Sequence, residues 1–213
     1  MQPALVLQLK DLLNEENLKK MYVIVSKTRS YWNKDLNELP RMKAVVALYL
    51  TKNPKIGNFK VKIIPNYPSA YWEPYQKFFG LGLFNADIIA HEIEHCLSVQ
   101  DSPIYTDSAV HGYDIGQMLS AANLLALALT AKSKASSSLV KKVVPVLKGG
   151  TSISMGLVVP RLYEEGRANV LATSKSKDKW ESIKNLGPAY ATYLLAGLGI
   201  PLLTRYGIKK ISK

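Results

Sequence analysis

The chain has 213 residues, of which 47% are hydrophobic and 21% are charged, and this composition excludes a disordered, collagen-like or repeat polymer. The length suits one compact domain with a sizeable core, so we do not expect two full enzymatic domains. A single cysteine, Cys96, excludes an internal disulfide and a cysteine-rich zinc or iron–sulfur site. Any metal site must therefore use histidine and carboxylate ligands.

The formal net charge is +12, which favours anionic partners through long-range attraction. The basic residues are spread along the chain, with small clusters at residues 132–142, 175–179 and 209–213. The sequence has no zinc-finger spacing, no RNP-like aromatic signature and no basic zipper. We therefore do not expect a nucleic-acid partner.

The predicted elements are mostly helical. Apolar residues at helical spacing predict N-terminal helices over residues 5–21 and 41–50. Residues 59–64 alternate apolar and basic side chains, which predicts a strand. Asn85 is well placed to cap a helix that runs from about residue 86 to residue 99.

Two uncharged segments are candidates for membrane association: Ile115 to Ala131 and Asn185 to Thr204. Only the second reaches the roughly 20 residues that a spanning helix needs, and the alternative for both is a buried helix in a soluble core. A return crossing would use residues 149–160, which are too few to span. By the positive-inside rule, the three basic clusters would then share one side of the membrane.

The N-terminus lacks the basic first region and the unbroken apolar stretch of a secretory signal peptide. We therefore expect an intracellular protein that is either membrane-associated or cytoplasmic.

Residues 91–95 read His-Glu-Ile-Glu-His, the HExxH pattern. On a helix, positions i and i+4 lie on one face, so His91 and His95 can present ring nitrogens to one zinc ion. Glu92 then lies beside the metal, where it can take a proton from a zinc-bound water. The apolar residues between these positions favour an active-site helix packed in a core over a solvated polar face. The pattern predicts a zinc site with Glu92 as its catalytic base.

A catalytic zinc needs a third protein ligand and one open position. The metzincin pattern is excluded because it requires Gly at position 98 and His at 101, where this chain has Ser98 and Asp101. The remaining candidates are His111 and the adjacent pair Glu164 and Glu165.

Residues 165–169, Glu-Gly-Arg-Ala-Asn, followed by Ala172, resemble the downstream Glu-x-x-Ala-Asp helix of gluzincins related to HtpX and the CAAX prenyl proteases. The order of HExxH, apolar linker, Glu motif and second apolar segment also resembles the YugP-type neutral zinc metallopeptidases, over about residues 60–203. The resemblance implies an α+β, predominantly helical, zincin-like (minigluzincin) fold with a small sheet. It also implies that Glu165 is the third zinc ligand and that residues 69–72 form an edge strand holding extended substrate.

The chain departs from the family pattern at Glu94, where glycine is usual, and at Asn169, where an acidic residue is usual. Glu94 is expected to add charge near the metal. Asn169 removes a carboxylate, although its side-chain carbonyl can still accept a hydrogen bond from a zinc-bound histidine.

Glu164 and Glu165 cannot both face one metal, because neighbouring helical residues point about 100° apart. We predict that Glu165 faces the zinc. Glu164 is then expected on the solvent side, paired with Arg161 or Arg167.

The expected function is that of a zinc-dependent metalloendopeptidase acting on a peptide or protein substrate. We expect one zincin-like domain over residues 1–213, with an N-terminal helical part at 1–57 and a catalytic core at 58–213. The alternative is a catalytically inactive, zinc-stabilised basic protein that binds a membrane surface or nucleic acid.

Overall fold

The computed structural model describes residues 4–73, 76–101, 103–132 and 137–211. Over these residues the protein is predominantly helical and has one four-stranded sheet, as the α+β prediction requires. The chain forms two compact units. The first unit comprises Met1–Asp101 and Ala168–Gly187, and the second unit comprises Ser102–Arg167 and Pro188–Lys213.

The sheet belongs to the first unit. Its strands are β1 (Leu5–Gln8), β2 (Lys60–Ile63), β3 (Ala70–Glu73) and β4 (Phe78–Leu81), in the order β1-β2-β4-β3. Strands β2 and β4 are parallel and the other pairs are antiparallel. In β2, buried Val61 and Ile63 alternate with exposed lysines, which confirms the predicted strand. Strand β3 lies at the edge of the sheet, so the expected edge strand is also confirmed.

The first unit contains the helices α1 (Glu15–Val25), α2 (Leu39–Lys52) and α3 (Ala86–Asp101), with 3-10 turns at Leu9–Leu13, Leu36–Glu38 and Pro54–Asn58. Helices α2 and α3 confirm the predictions for residues 41–50 and 86–99. The predicted helix over residues 5–21 is wrong in its first half, which forms β1 and a 3-10 turn. Leu5 and Leu7 are two residues apart, so they lie on the same face of a strand. Helix α1 begins only after Asn14, whose side chain caps it by accepting the Glu16 N–H at 2.8 Å.

The core of the first unit is a continuous apolar cluster. Leu12, Leu18 and Phe84 are fully buried in it. On the sheet, Trp72 stacks on Phe59 and contacts Phe79 with its ring tilted. The C-terminal part of α5 and the first part of α6, described next, contribute Ala172 and Leu186 to this cluster. Helix α3 is thereby packed on a sheet and on other helices, which gives it a rigid support.

The second unit is built from the long helices that follow α3. These are α4 (Pro103–Lys132), α5 (Ser137–Lys175), α6 (Lys179–Leu194), a π-helical turn at Leu195–Gly199, and α7 (Ile200–Ile211). Residues 168–175 of α5 and 179–187 of α6 belong to the first unit. Residues 133–136 of the basic cluster at 132–142 lie outside the described residues, and the cluster is helical from Ser137 onward.

Helix α5 corrects the predicted short crossing at residues 149–160, because it is one helix of 39 residues. At about 1.5 Å per residue, Lys142 and Lys175 lie roughly 50 Å apart along it. The basic clusters at residues 132–142 and 175–179 therefore lie at opposite ends of α5.

Small residues mediate the contact between α4 and α5. The Ser120 and Ser154 hydroxyls hydrogen-bond to one another, and each also hydrogen-bonds to the Gly116 carbonyl, at 2.8 and 2.9 Å. A Cβ at Gly116 would lie only 2.8 Å from Val158 Cγ1. The two helices approach closely because Gly116 has no side chain and the serines beside it are small.

Among the described residues, three helical stretches are long and apolar enough to cross a membrane, judged by length and composition: Ala109–Lys132, Ser138–Lys175 and Lys179–Ile211. Only 17 to 22% of each apolar window is buried inside the structure. The helical stretches are thus longer than the uncharged segments suggested, and the apolar helices are compatible with membrane association.

Candidate metal site

The N-terminal end of α3 is held by a cap and by a buried polar cluster. Asn85 Oδ1 accepts the N–H groups of Asp87 and Ile88, at 3.0 and 3.3 Å, which confirms the predicted cap. The buried Asp87 carboxylate accepts hydrogen bonds from Arg41 of α2, at 2.5 Å, and from Asn185 of α6, at 2.7 Å. These contacts fix the start of α3 and therefore the directions of the side chains one turn later.

Helix α3 presents His91 and His95 on one face. Their Nε2 atoms are 3.0 Å apart, and the two rings meet edge to face with their centres 4.5 Å apart. Two nitrogens bound to one tetrahedral zinc at about 2.0–2.1 Å would be separated by roughly 3.3 Å. The pair is therefore close to the spacing that a shared metal ion needs. Glu92, between them, is buried.

Glu165 of α5 belongs to the same group. One ligand atom each from His91, His95 and Glu165 lie within 4.8 Å of one another. Two imidazole nitrogens and one carboxylate form the donor set of zinc and of related divalent transition metals. These three residues could therefore bind a metal ion, as the HExxH and Glu motifs predicted. His111, the other candidate ligand, is exposed and does not belong to the group.

Arg161 contacts both members of the acidic pair from one turn earlier on α5. Its Nη1 lies 3.2 Å from Glu164 Oε2 and its Nη2 lies 2.5 Å from Glu165 Oε1. The predicted pairing of Glu164 with Arg161 is confirmed, but its predicted solvent-side position is wrong, since Glu164 is only 2% exposed. The contact between Arg161 and Glu165 was missed, although the i, i+4 spacing is visible in the sequence.

Glu94 forms a buried cluster with two residues that are distant in sequence. Tyr49 of α2 and Lys175 of α5 both donate to Glu94 Oε1, and the Lys175 ammonium lies 4.6 Å from the centre of the Tyr49 ring. The expectation that Glu94 simply adds charge near the metal is thus corrected, because Lys175 compensates its charge. Burial, and then the hydrogen bond to Glu94, raise the pKa of Tyr49.

Asn169 does not make the hydrogen bond expected of it. Its Oδ1 is buried and has no hydrogen-bond partner among the described residues. Among the described residues it therefore accepts no hydrogen bond from a ring N–H of either histidine.

No protein-family model, curated protein or solved structure matches the chain. What the fold and the site define is a predominantly helical α+β protein with a His-His-Glu group that could bind a metal ion.

Proposed function

We propose that this protein is a zinc-dependent metalloendopeptidase of gluzincin type. The observation that carries the proposal is the grouping of His91, His95 and Glu165 within 4.8 Å, with Glu92 next to the first histidine. Three protein ligands leave one position of a tetrahedral zinc open, as catalytic sites require. When bound, zinc supplies an activated water and polarises the scissile carbonyl.

The protein side chains have separate tasks in this proposal. The Glu92 carboxylate takes a proton from the attacking water and passes it to the nitrogen of the leaving amine. Arg161 holds the Glu165 carboxylate and compensates part of its charge. The cluster of Glu94, Tyr49 and Lys175 supports α3 from the side.

An extended peptide is the substrate that the first unit suits. Strand β3 pairs only with β4 among the described strands, so its outer edge offers backbone groups to a peptide strand. Helix α3 packs against β3 within the same unit. A peptide added to this edge would lie on the element that contacts the HExxH helix.

We also propose that the second unit is embedded in a membrane. It carries large apolar side chains that are mostly exposed, among them Met118 at 73%, Val146 at 71% and Leu195 at 71%. These lie on the three helices that are long enough to cross a bilayer.

Metal content tests the site directly. We expect elemental mass spectrometry to find about one zinc per chain in the purified protein. His91→Ala should lose the metal and Glu165→Gln should bind it more weakly, whereas Glu164→Gln is the matched control that keeps it. Absence of zinc, even after zinc is added back, would overturn the proposal.

Cleavage of denatured proteins tests the chemistry. Glu92→Gln should keep its zinc and lose peptide hydrolysis by at least about 100-fold, because the base that moves the proton is gone. Undiminished cleavage by this variant would refute the role of Glu92. Zinc binding without any cleavage by the wild-type protein would instead favour the inactive, zinc-stabilised basic protein.

A further inference from the structure

Three helix ends meet at one end of the second unit. The C-terminal part of α4, the N-terminal part of α5 and the C-terminal part of α7 form a small apolar cluster of Leu127, Leu147 and Ile208. A Cβ at Gly207 would meet the Leu127 side chain, so α4 and α7 are in direct contact. The charged residues next to these positions are therefore neighbours in space as well.

All the charges at this end are positive. Exposed lysines lie on the same three helix ends as the apolar cluster, and we call this group the basic end: Lys132, Lys141, Lys142, Lys148, Lys209 and Lys210. Residues 115–163 and 182–213 contain no Asp or Glu. In the first unit, by contrast, Lys19 and Lys20 pair with glutamates on their own helix, at 2.7 and 2.8 Å. The helix segments that form the basic end contain no acidic residue that could pair with its lysines in this way.

The basic end borders directly on exposed apolar surface. Leu125 and Leu129 of α4, Val146 of α5, and Leu202 and Leu203 of α7 are all more than half exposed. Lysine side chains can lie along such a surface with their ammonium groups extended toward water or headgroups. At the boundary of a bilayer, charged headgroups likewise lie next to hydrocarbon. The lysines would face the headgroups and the apolar side chains would face the hydrocarbon.

We propose that the basic end binds anionic phospholipid headgroups at one face of the bilayer, while the adjacent apolar faces lie in the hydrocarbon. This inference rests on the proposed membrane setting of the second unit. A soluble polyanion such as nucleic acid would match the lysines but would leave the adjoining leucines and valine in water. An anionic bilayer accommodates both, because charge and hydrocarbon lie within a few ångströms of each other.

A competition between two vesicle populations tests the inference. The full chain, purified in mild detergent, is offered phosphatidylcholine vesicles together with vesicles containing phosphatidylcholine and phosphatidylglycerol at 7:3. One vesicle population is loaded with sucrose, so that the two can be separated by centrifugation after the detergent is removed. The experiment is then repeated with the sucrose in the other population. The ratio of protein in the two populations measures headgroup preference, and the total measures membrane association.

We expect the wild-type chain to enter both populations with at least about a tenfold preference for the anionic one at low salt. Near 0.5 M KCl the preference should fall to about twofold or less, because salt screens the lysines. The variant with Lys141, Lys142, Lys209 and Lys210 changed to Gln should still associate with vesicles but show no preference.

A matched control removes four positive charges from the exposed surface of the first unit, by changing Lys27, Lys52, Lys55 and Lys62 to Gln. It should keep the tenfold preference. Loss of preference in this control would assign the effect to net charge and overturn the inference. Equal distribution of the wild-type chain would also overturn it while leaving the membrane setting intact. No association with either population would refute the membrane setting, and the headgroup inference with it.

Discussion

The first unit buries a continuous apolar cluster around its sheet, whereas the second unit buries serine hydroxyls and glycine backbone between α4 and α5. On the outer surface the second unit is the more apolar of the two. The second unit has most of the large exposed apolar side chains, and its only acidic residues lie at 107, 114, 164 and 165.

The difference is what the proposed membrane setting of the second unit requires, because the two units would then be surrounded by different solvents. In water, burial of apolar area drives helices together. Between helices in lipid that drive is absent, and close contact through small residues together with interhelical hydrogen bonds takes its place. The contact through Gly116, Ser120 and Ser154 is of the second kind.

The largest expected effect comes from matched leucines in helices of the two units. Leu18 in α1 is fully buried and Leu125 in α4 is 62% exposed. Leu18→Ala should lower the free energy of unfolding by about 2–5 kcal/mol, and Leu125→Ala should change it by less than about 0.5 kcal/mol. Chemical denaturation in mild detergent, followed by circular dichroism, measures both. Equal losses would contradict the comparison.

Breaking the buried ion pair of the first unit should have the next largest effect. Lys175→Met leaves the Glu94 carboxylate buried without its cation, at a cost of about 2–3 kcal/mol. Adding Glu94→Gln should recover part of this loss, while Lys177→Met, at an exposed position, should be nearly neutral. Denaturation followed by tryptophan fluorescence reports this, since Trp32 and Trp72 lie in the first unit. If the double variant were no more stable than Lys175→Met, the pairing would be refuted.

Two glycines of the second unit sharpen the comparison further. Gly116→Ala should destabilise by about 1–3 kcal/mol because the new methyl group meets Val158 and the Ser154 carbonyl. Gly156 in α5 has nothing within 4 Å of an added Cβ, so Gly156→Ala should stabilise the helix by up to about 1 kcal/mol. Thermal unfolding in detergent compares the two variants. A stabilising effect of Gly116→Ala would contradict the close contact between α4 and α5.

The smallest effect is a pH dependence of the first unit. Burial raises the pKa of the Cys96 thiol above its ordinary value of 9.0. Because the unfolded thiol ionises first, the unfolded state binds fewer protons above pH 9, and stability falls as pH rises. The slope from the thiol approaches about 1.4 kcal/mol per pH unit at most, and less than 1 kcal/mol is lost by pH 9.5.

Comparison with Cys96→Ala between pH 8 and 10 isolates the thiol. The variant should show a shallower decline, and a second decline from Tyr49 should remain above pH 10, since the pKa of that buried phenol is also raised. Identical slopes in the two proteins would contradict a buried, neutral thiol.

Local patterns predicted part of the fold well. The alternation in β2, the cap at Asn85 and the i, i+4 histidines each depend on residues close in sequence. Residues 5–21 were mispredicted because their leucines fit either a strand or a helix over a short range. Pairing of Leu5 with Ile63, a residue far along the chain, decides in favour of the strand.

The partners of the candidate site were the hardest part to predict. Tyr49 and Lys175 lie 45 and 81 residues from Glu94, and nothing in the local pattern links them. The separation of Glu164 from Glu165 into two roles could be argued from helix geometry, but the burial of both and their shared contact with Arg161 could not.

Composition and helical periodicity by themselves determined three features of this protein. These are the helical face that carries His91 and His95, the absence of a cysteine-based metal site, and the positive charge of the long helices. Only the tertiary structure decided that Glu165 joins the histidines, that Lys175 neutralises Glu94 and that the lysines of three helix ends form one basic end. The physical reason is that contacts between distant residues depend on how whole helices pack, and that packing is set by close fit over many side chains rather than by any local pattern.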